Sequence, residues 1–211
     1  MKHRLGAICL LGAAATAALA EGQMRITEYM YQGNNDLYEF IEFTNVGDTP
    51  VDMLGWSFDD NSDTPLSVDL SAYGTVAPGE SVILTDSDAE AFRTTWGLSP
   101  LVKIIGGNTN NLGRNDAINL YDDVAAQVDR LQYGDQDFPG SIRARFNSGN
   151  PISPAALGAN DPYQWVLALE GDIYGSWVST NGDVGNPGQY IPEPASLCLL
   201  ALGGGLVLRR R

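Results

Sequence analysis

The chain predicts an all-β sandwich carrying one short helix, and three observations lead there. Seven short runs rich in β-branched and aromatic residues recur along the body, and Gly, Asn, Asp and Pro separate them. The stretch Tyr38-Glu39-Phe40-Ile41-Glu42-Phe43 alternates with the two-residue period of a strand, placing Tyr38, Phe40 and Glu42 on one face and Glu39, Ile41 and Phe43 on the other. Both faces carry bulk, as a central strand requires. A body over 21–190 suffices for one domain, burying about 70% of the surface its unfolded chain would expose. No internal repeat and no long linker divides it.

Taken in order, the strands are expected at Met24 to Tyr31, Tyr38 to Asn45, Val51 to Phe58, Ser81 to Thr85, Leu101 to Ile105, Ala117 to Tyr121 and Ala125 to Tyr133. Within the third, Gly55 would allow a bulge or close approach while Trp56 fills the core beside Phe58. Asn45 would bond local backbone where its strand ends, and Pro78-Gly79 would turn the chain into the Ser81 strand. Ser87-Asp88-Ala89-Glu90 reads as a capping box, with Ser87 as cap, opening a helix that runs to Trp96 and stops at Gly97. Gly113 to Asp116 is turn-rich. Beyond Phe138, Ile142 to Phe146 and Trp165 to Leu169 are candidate strands, and Asn147 to Pro162 reads as a long loop.

Both ends of the chain differ from the body. Lys2, His3 and Arg4 precede an apolar, alanine-rich stretch from Leu5 to Leu19, and Ala18-Leu19-Ala20 forms an A-x-A cleavage site before Glu21. Residues 1–20 thus read as a secretory signal peptide. At the other end, Pro192-Glu193-Pro194 leads into an uncharged, mostly apolar run from Ala195 to Leu208, closed by Arg209-Arg210-Arg211. As a helix that run measures about 21 Å, against a hydrocarbon thickness of about 30 Å, so it only marginally spans a membrane. The arginines would hold its end on the cytoplasmic side, leaving everything before Pro192 outside.

Composition excludes much chemistry. The sole histidine, His3, and both cysteines, Cys9 and Cys198, lie in these end segments. The body therefore has no imidazole or thiol for nucleophilic catalysis, for zinc or copper ligation, or for a disulfide. Net charge is −14, and setting aside the five basic residues at the ends leaves seven basic against 26 acidic residues. Such a balance repels phosphates, so no nucleic-acid partner is expected.

Carboxylate chemistry remains. Glu28 and Glu42 fall on neighbouring strands, and as one acid with one nucleophile or base they pose a glycoside hydrolase as an alternative function. Strand carboxylates in a small sandwich more often satisfy backbone amides, so no catalytic residue is assigned. Asp59, Asn61 and Asp63 stand at alternate positions like the start of a calcium loop, but Thr64 replaces the turn glycine and Leu70 the bidentate glutamate. Calcium is the one cofactor this leaves open. Trp96, Trp165, Trp177 and loop tyrosines such as Tyr31, Tyr163 and Tyr174 offer ring faces for polysaccharide, although the tryptophans equally suit a core.

The tail from Pro192 to Arg211 resembles the PEP-CTERM sorting signal. That resemblance implies recognition by a membrane-embedded exosortase, a transient or permanent anchor in the inner membrane, and delivery to the cell surface or extracellular matrix of a Gram-negative bacterium. The body resembles the lamin-tail domain, through Ile26-Thr27-Glu28, Phe40-Ile41-Glu42-Phe43-Thr44-Asn45, Val51-Asp52-Met53-Leu54-Gly55-Trp56, Val76-Ala77-Pro78-Gly79-Glu80, Asn115-Asp116-Ala117-Ile118-Asn119-Leu120-Tyr121-Asp122 and Val128-Asp129. Ser141-Ile142-Arg143, Trp177 and Asn186-Pro187-Gly188 extend the likeness. It implies an immunoglobulin-like sandwich serving as a non-catalytic extracellular module, structural or adhesive.

Overall fold

In the computed structural model, residues 22–34 and 38–192 are described. The elements are β1 (Met24–Met30), β2 (Phe40–Asn45), β3 (Val51–Asp52), β4 (Ser57–Asp59), β5 (Val68–Asp69), β6 (Thr75–Val76), β7 (Ser81–Thr85), α1 (Ala89–Trp96), β8 (Lys103–Ile105), β9 (Asp116–Tyr121), β10 (Gln127–Tyr133), β11 (Gly149–Pro151), β12 (Trp165–Leu167), β13 (Trp177–Val178) and β14 (Val184–Gly185). A six-stranded sheet in the order β12-β11-β1-β2-β7-β8 faces a four-stranded sheet in the order β10-β9-β4-β5, with the pairs β13-β14 and β3-β6 added. This is an immunoglobulin-like β-sandwich with one α-helix among the described residues. Pairing is antiparallel except between β7 and β8, which run parallel because α1 carries the chain across between them.

All six residues of β2 are buried, as a strand covered on both faces must be. Ile41 and Phe43 face the second sheet, joining Met24, Ile26, Tyr29, Val82 and Leu84 against Phe58, Ile118, Leu120, Leu131 and Tyr133. Phe40 points the other way, joining Met30 and Ile83 beneath Phe92 and Trp96 of α1. Rings tie that smaller cluster together edge to face: Phe40 lies 5.5 Å from Phe92 and 5.8 Å from Trp96, centroid to centroid.

The register of β1 on β2 breaks between Ile26 and Glu28, where a bulge inserts an extra residue. Its consequence is a change of face: Ile26 points into the sandwich, while Glu28 joins Met30 on the helix side, directly across from Glu42.

The helix begins one residue later than the capping box implies. Asp88 is the cap, its Oδ1 accepting from the amides of Glu90 and Ala91 at 3.0 Å each. The Ser87 amide instead donates to Thr85 Oγ1, and Glu90 pairs with Arg93 at 3.1 Å rather than reaching back. Gly97 ends the helix in the left-handed conformation at φ 65°. Asp88→Ala is expected to cost about 1 kcal/mol, read as a lowered midpoint in urea.

Four other expectations are corrected. Val51 to Phe58 is not one strand: Gly55 adopts φ 80° in a turn closed by the Trp56 amide on the Met53 carbonyl at 3.0 Å, so β3 pairs with β6 and β4 with β9. Trp56 is only partly buried, while Phe58 is fully so. Ile142 to Phe146 forms no strand beyond a single bridge from Arg145 to Gln32, whereas the expected loop from Asn147 contains β11. Asn45 acts as expected, taking the amides of Gln23 and Gly47 on Oδ1 and donating from Nδ2 to the carbonyls of Thr49 and Val76.

Candidate functional site

The bulge in β1 brings Glu28 and Glu42 together, and the chain's later segments close over them. Both are fully buried. Glu42 Oε1 accepts from Thr27 Oγ1 at 2.6 Å and Thr44 Oγ1 at 3.3 Å, and its Oε2 accepts from the Gly188 amide at 2.7 Å. Glu28 Oε1 accepts from the Ser148 hydroxyl and from the Asn186 amide, the latter at 2.8 Å. Gly185 passes so close that a Cβ there would sit 2.8 Å from Glu28 Oε1 and 3.1 Å from the Trp96 ring, so only glycine lets β14 lie on the pair. Asn186 completes the closure, its Oδ1 receiving Asn150 Nδ2 at 2.9 Å and Ser176 Oγ at 3.2 Å.

Burial, followed by the neighbouring charge of Glu42, drives the Glu28 carboxyl well above the ordinary carboxylate range. Burial pushes Glu42 up to about 7, against the lowering effect of the donors from Thr27 and Gly188. Two buried carboxyls this close disfavour each other's ionisation under a lid of protein. A glycoside hydrolase needs its pair to flank a substrate cleft, and none of the described cavities is lined by either residue. What this arrangement does chemically is fasten the segment from Val184 to Gly188 onto the sheet. Ser148, Asn186 and Gly185 carry that role with the two glutamates. No periodicity or spacing points to them, because they lie 120 to 158 residues from Glu28.

The three calcium candidates do not converge. Asp59 is buried, with Oδ2 taking the Thr64 amide at 2.6 Å and Ser62 Oγ at 2.8 Å, and Oδ1 taking Asn110 Nδ2 at 3.0 Å. Despite its burial, these donors hold Asp59 below the usual range. Asp63 turns instead to the Tyr121 hydroxyl at 2.6 Å and Arg130 at 3.2 Å, and Asn61 is exposed. Among the described residues no group of three acidic, histidine or cysteine side chains could hold a metal. Adding calcium to about 5 mM, above the range of weak extracellular sites, is expected to move the melting temperature by less than about 1 °C.

Of the residues named for sugar contact, Trp96, Trp165, Tyr31 and Tyr174 are buried, and Trp177 is partly buried, its ring 5.8 Å from that of Trp96. Tyr163 is 56% exposed. Pro192 is exposed and lines a groove of about 520 Å³ together with Gln23, Arg25 and Tyr190. Ala18, Ala20, Glu193, Pro194, Arg209, Arg210 and Arg211 lie outside the described residues, as does the apolar run 195–208. Among the described residues no helix is long and apolar enough to cross a membrane.

No curated protein and no solved structure matches the chain. A family model described as Lamin Tail Domain matches residues 17–135, a span that takes in β1 through β10. Strands β1 to β10, with the bulge-paired glutamates and the second sheet, fall within that match, whereas β11 to β14 lie beyond it, and the chain belongs to the lamin-tail domain family.

Proposed function

We propose that the protein is an exported structural or adhesive module of the cell surface or extracellular matrix of a Gram-negative bacterium. It passes the inner membrane on its signal peptide and is handed to an exosortase-type enzyme by its PEP-CTERM tail. The family supports the non-catalytic part of this reading, since the lamin-tail sandwich is a structural module. The carrying observation is the pair of chain ends: a cationic, apolar leader ending in Ala18-Leu19-Ala20, and Pro192-Glu193-Pro194 followed by an apolar run and three arginines. The folded body is compatible with a tether, because Gln23 and Pro192 line the same groove and both ends leave from one side. The strongly acidic body suits contact with neutral polysaccharide rather than nucleic acid.

Export is tested by fusing alkaline phosphatase after Tyr190, where activity outside the cytoplasm is expected and cytoplasmic retention would reject the reading. Mass spectrometry of the protein from its native envelope then reads the processing. Loss of residues 1–20, and of the tail beyond Pro194 when cleavage is permanent, is the expected pattern.

A further inference from the structure

The sandwich has two poles, and they are chemically different. β1 and β7 run one way and β2 the other, so the residues just before β1 and β7 and just after β2 gather at one end. That end holds Gln23, Gly79 and Gly47, and it is where the chain enters and leaves. The residues after β1, before β2 and after β7 gather at the opposite end, about 20 Å away along the strands. There Tyr31, Glu39 and Asp86 meet Asn111 and Arg114 from the β8–β9 connection and Arg143 from the loop before β11, around a cavity of about 370 Å³.

Several side chains of this distal cavity are held by neighbours before any ligand arrives. Arg114 grips Asp135 with two bonds, at 2.7 and 2.6 Å, and Arg143 Nε donates to the Tyr31 hydroxyl at 2.9 Å. Glu39, only 4% exposed, accepts the Leu112 amide on Oε2 at 2.7 Å. Carboxyl and amide acceptors together with guanidinium donors make a set that neither a simple anion nor a simple cation matches. Hydroxyl groups match it, each being donor and acceptor at once. The volume lies within the range of about 300 to 1,000 Å³ typical of small-molecule sites.

We propose that this distal cavity binds a neutral pyranose ring of a polysaccharide, Glu39, Asp86 and Asn111 receiving its hydroxyl protons and Arg114 and Arg143 donating to its oxygens. Burial pushes Glu39 up to about 9, so it meets the sugar as a neutral acid able to give as well as take a hydrogen bond. Pre-fixed side chains spare the ligand much of the ordering cost. The proposal deepens the surface-module reading by naming its ligand class, yet the binding test is made in vitro and is independent of export.

Full-length protein in detergent micelles is titrated with methyl glucoside, methyl galactoside and methyl mannoside, followed by saturation-transfer NMR. At least one is expected to bind with millimolar affinity. Arg114→Met/Arg143→Met and the exposed-loop variant Asn111→Ala are expected to weaken it by about tenfold or more, with Gln23→Ala at the opposite pole unchanged. Melting curves identify any variant that has lost its fold, and Asn111→Ala then carries the comparison. With methyl glucuronate titrated alongside as the charged comparison, three results would each overturn the proposal: no transfer from any of the three neutral sugars at about 20 mM, equal affinity in the folded distal variants, or a response confined to the glucuronate.

Discussion

Glu42→Ala is expected to destabilise the protein by about 4 kcal/mol or more. The substitution leaves the Gly188 amide without its buried acceptor, at about 1–3 kcal/mol, takes one acceptor from Thr27 and Thr44, whose hydroxyls keep each other and Ser81, and opens a cavity in a fully buried site. In a domain of this size that corresponds to a fall of about 10 °C in melting temperature. Glu42→Gln should be far milder, because the amide oxygen still accepts and the threonine hydroxyls can rotate to receive its NH2. The melts of the two variants decide the matter. A Glu42→Ala protein melting within about 2 °C of wild type would mean that the carboxyl fastens nothing.

The second large effect is a loss of stability as pH rises. Glu28, Glu39 and Glu42 all titrate higher in the folded protein than their ordinary 4.5, principally through burial. The folded state therefore holds more protons than the unfolded chain above that value. Their contribution is complete below about 4.5 and is lost as pH climbs, through about 7 for Glu42 and about 9 for Glu39. Asp86, Asp116, Asp129 and Asp183 are raised by burial and act in the same sense. Asp59, Asp63, Asp69 and Asp135 are lowered, so they support the fold above about 3.8 and withdraw that support in acid. One excess proton corresponds to about 1.4 kcal/mol per pH unit, so the melting temperature should drop on the order of 10 °C between about pH 5 and pH 9. The double variant Glu28→Gln/Glu42→Gln should lessen this slope below about pH 7, leaving the share that Glu39 and the raised aspartates contribute. A wild-type midpoint that rises across that interval would refute the assignment.

Strand β2 was legible because six residues alternate cleanly, and α1 was legible to within one residue because Gly97 stops it. The cap moved from Ser87 to Asp88 because a carboxylate facing two free amides outcompetes a hydroxyl already turned toward Asp86. β11, β13 and β14 span two or three residues each, too short for any period to register, and they exist because the six-stranded sheet and α1 give them partners. That Glu28 and Glu42 sit on adjacent strands could be read from the sequence. That they share a face could not, since it depends on one bulged residue whose position no local pattern marks. That Asp59, Asn61 and Asp63 do not converge has a related reason: a loop rich in Asp and Asn solves its own backbone needs first.

The clasp over the two glutamates also sets an order of events at birth. β1 is among the first parts of the body to leave the ribosome, yet Glu28 waits for an amide 158 residues downstream. Until Asn186 and Gly188 emerge, the acid pair stays hydrated and ionised, and the outer face of the central sheet lacks its last cover. A nascent chain therefore lacks this fastening until the last part of the described body has been made.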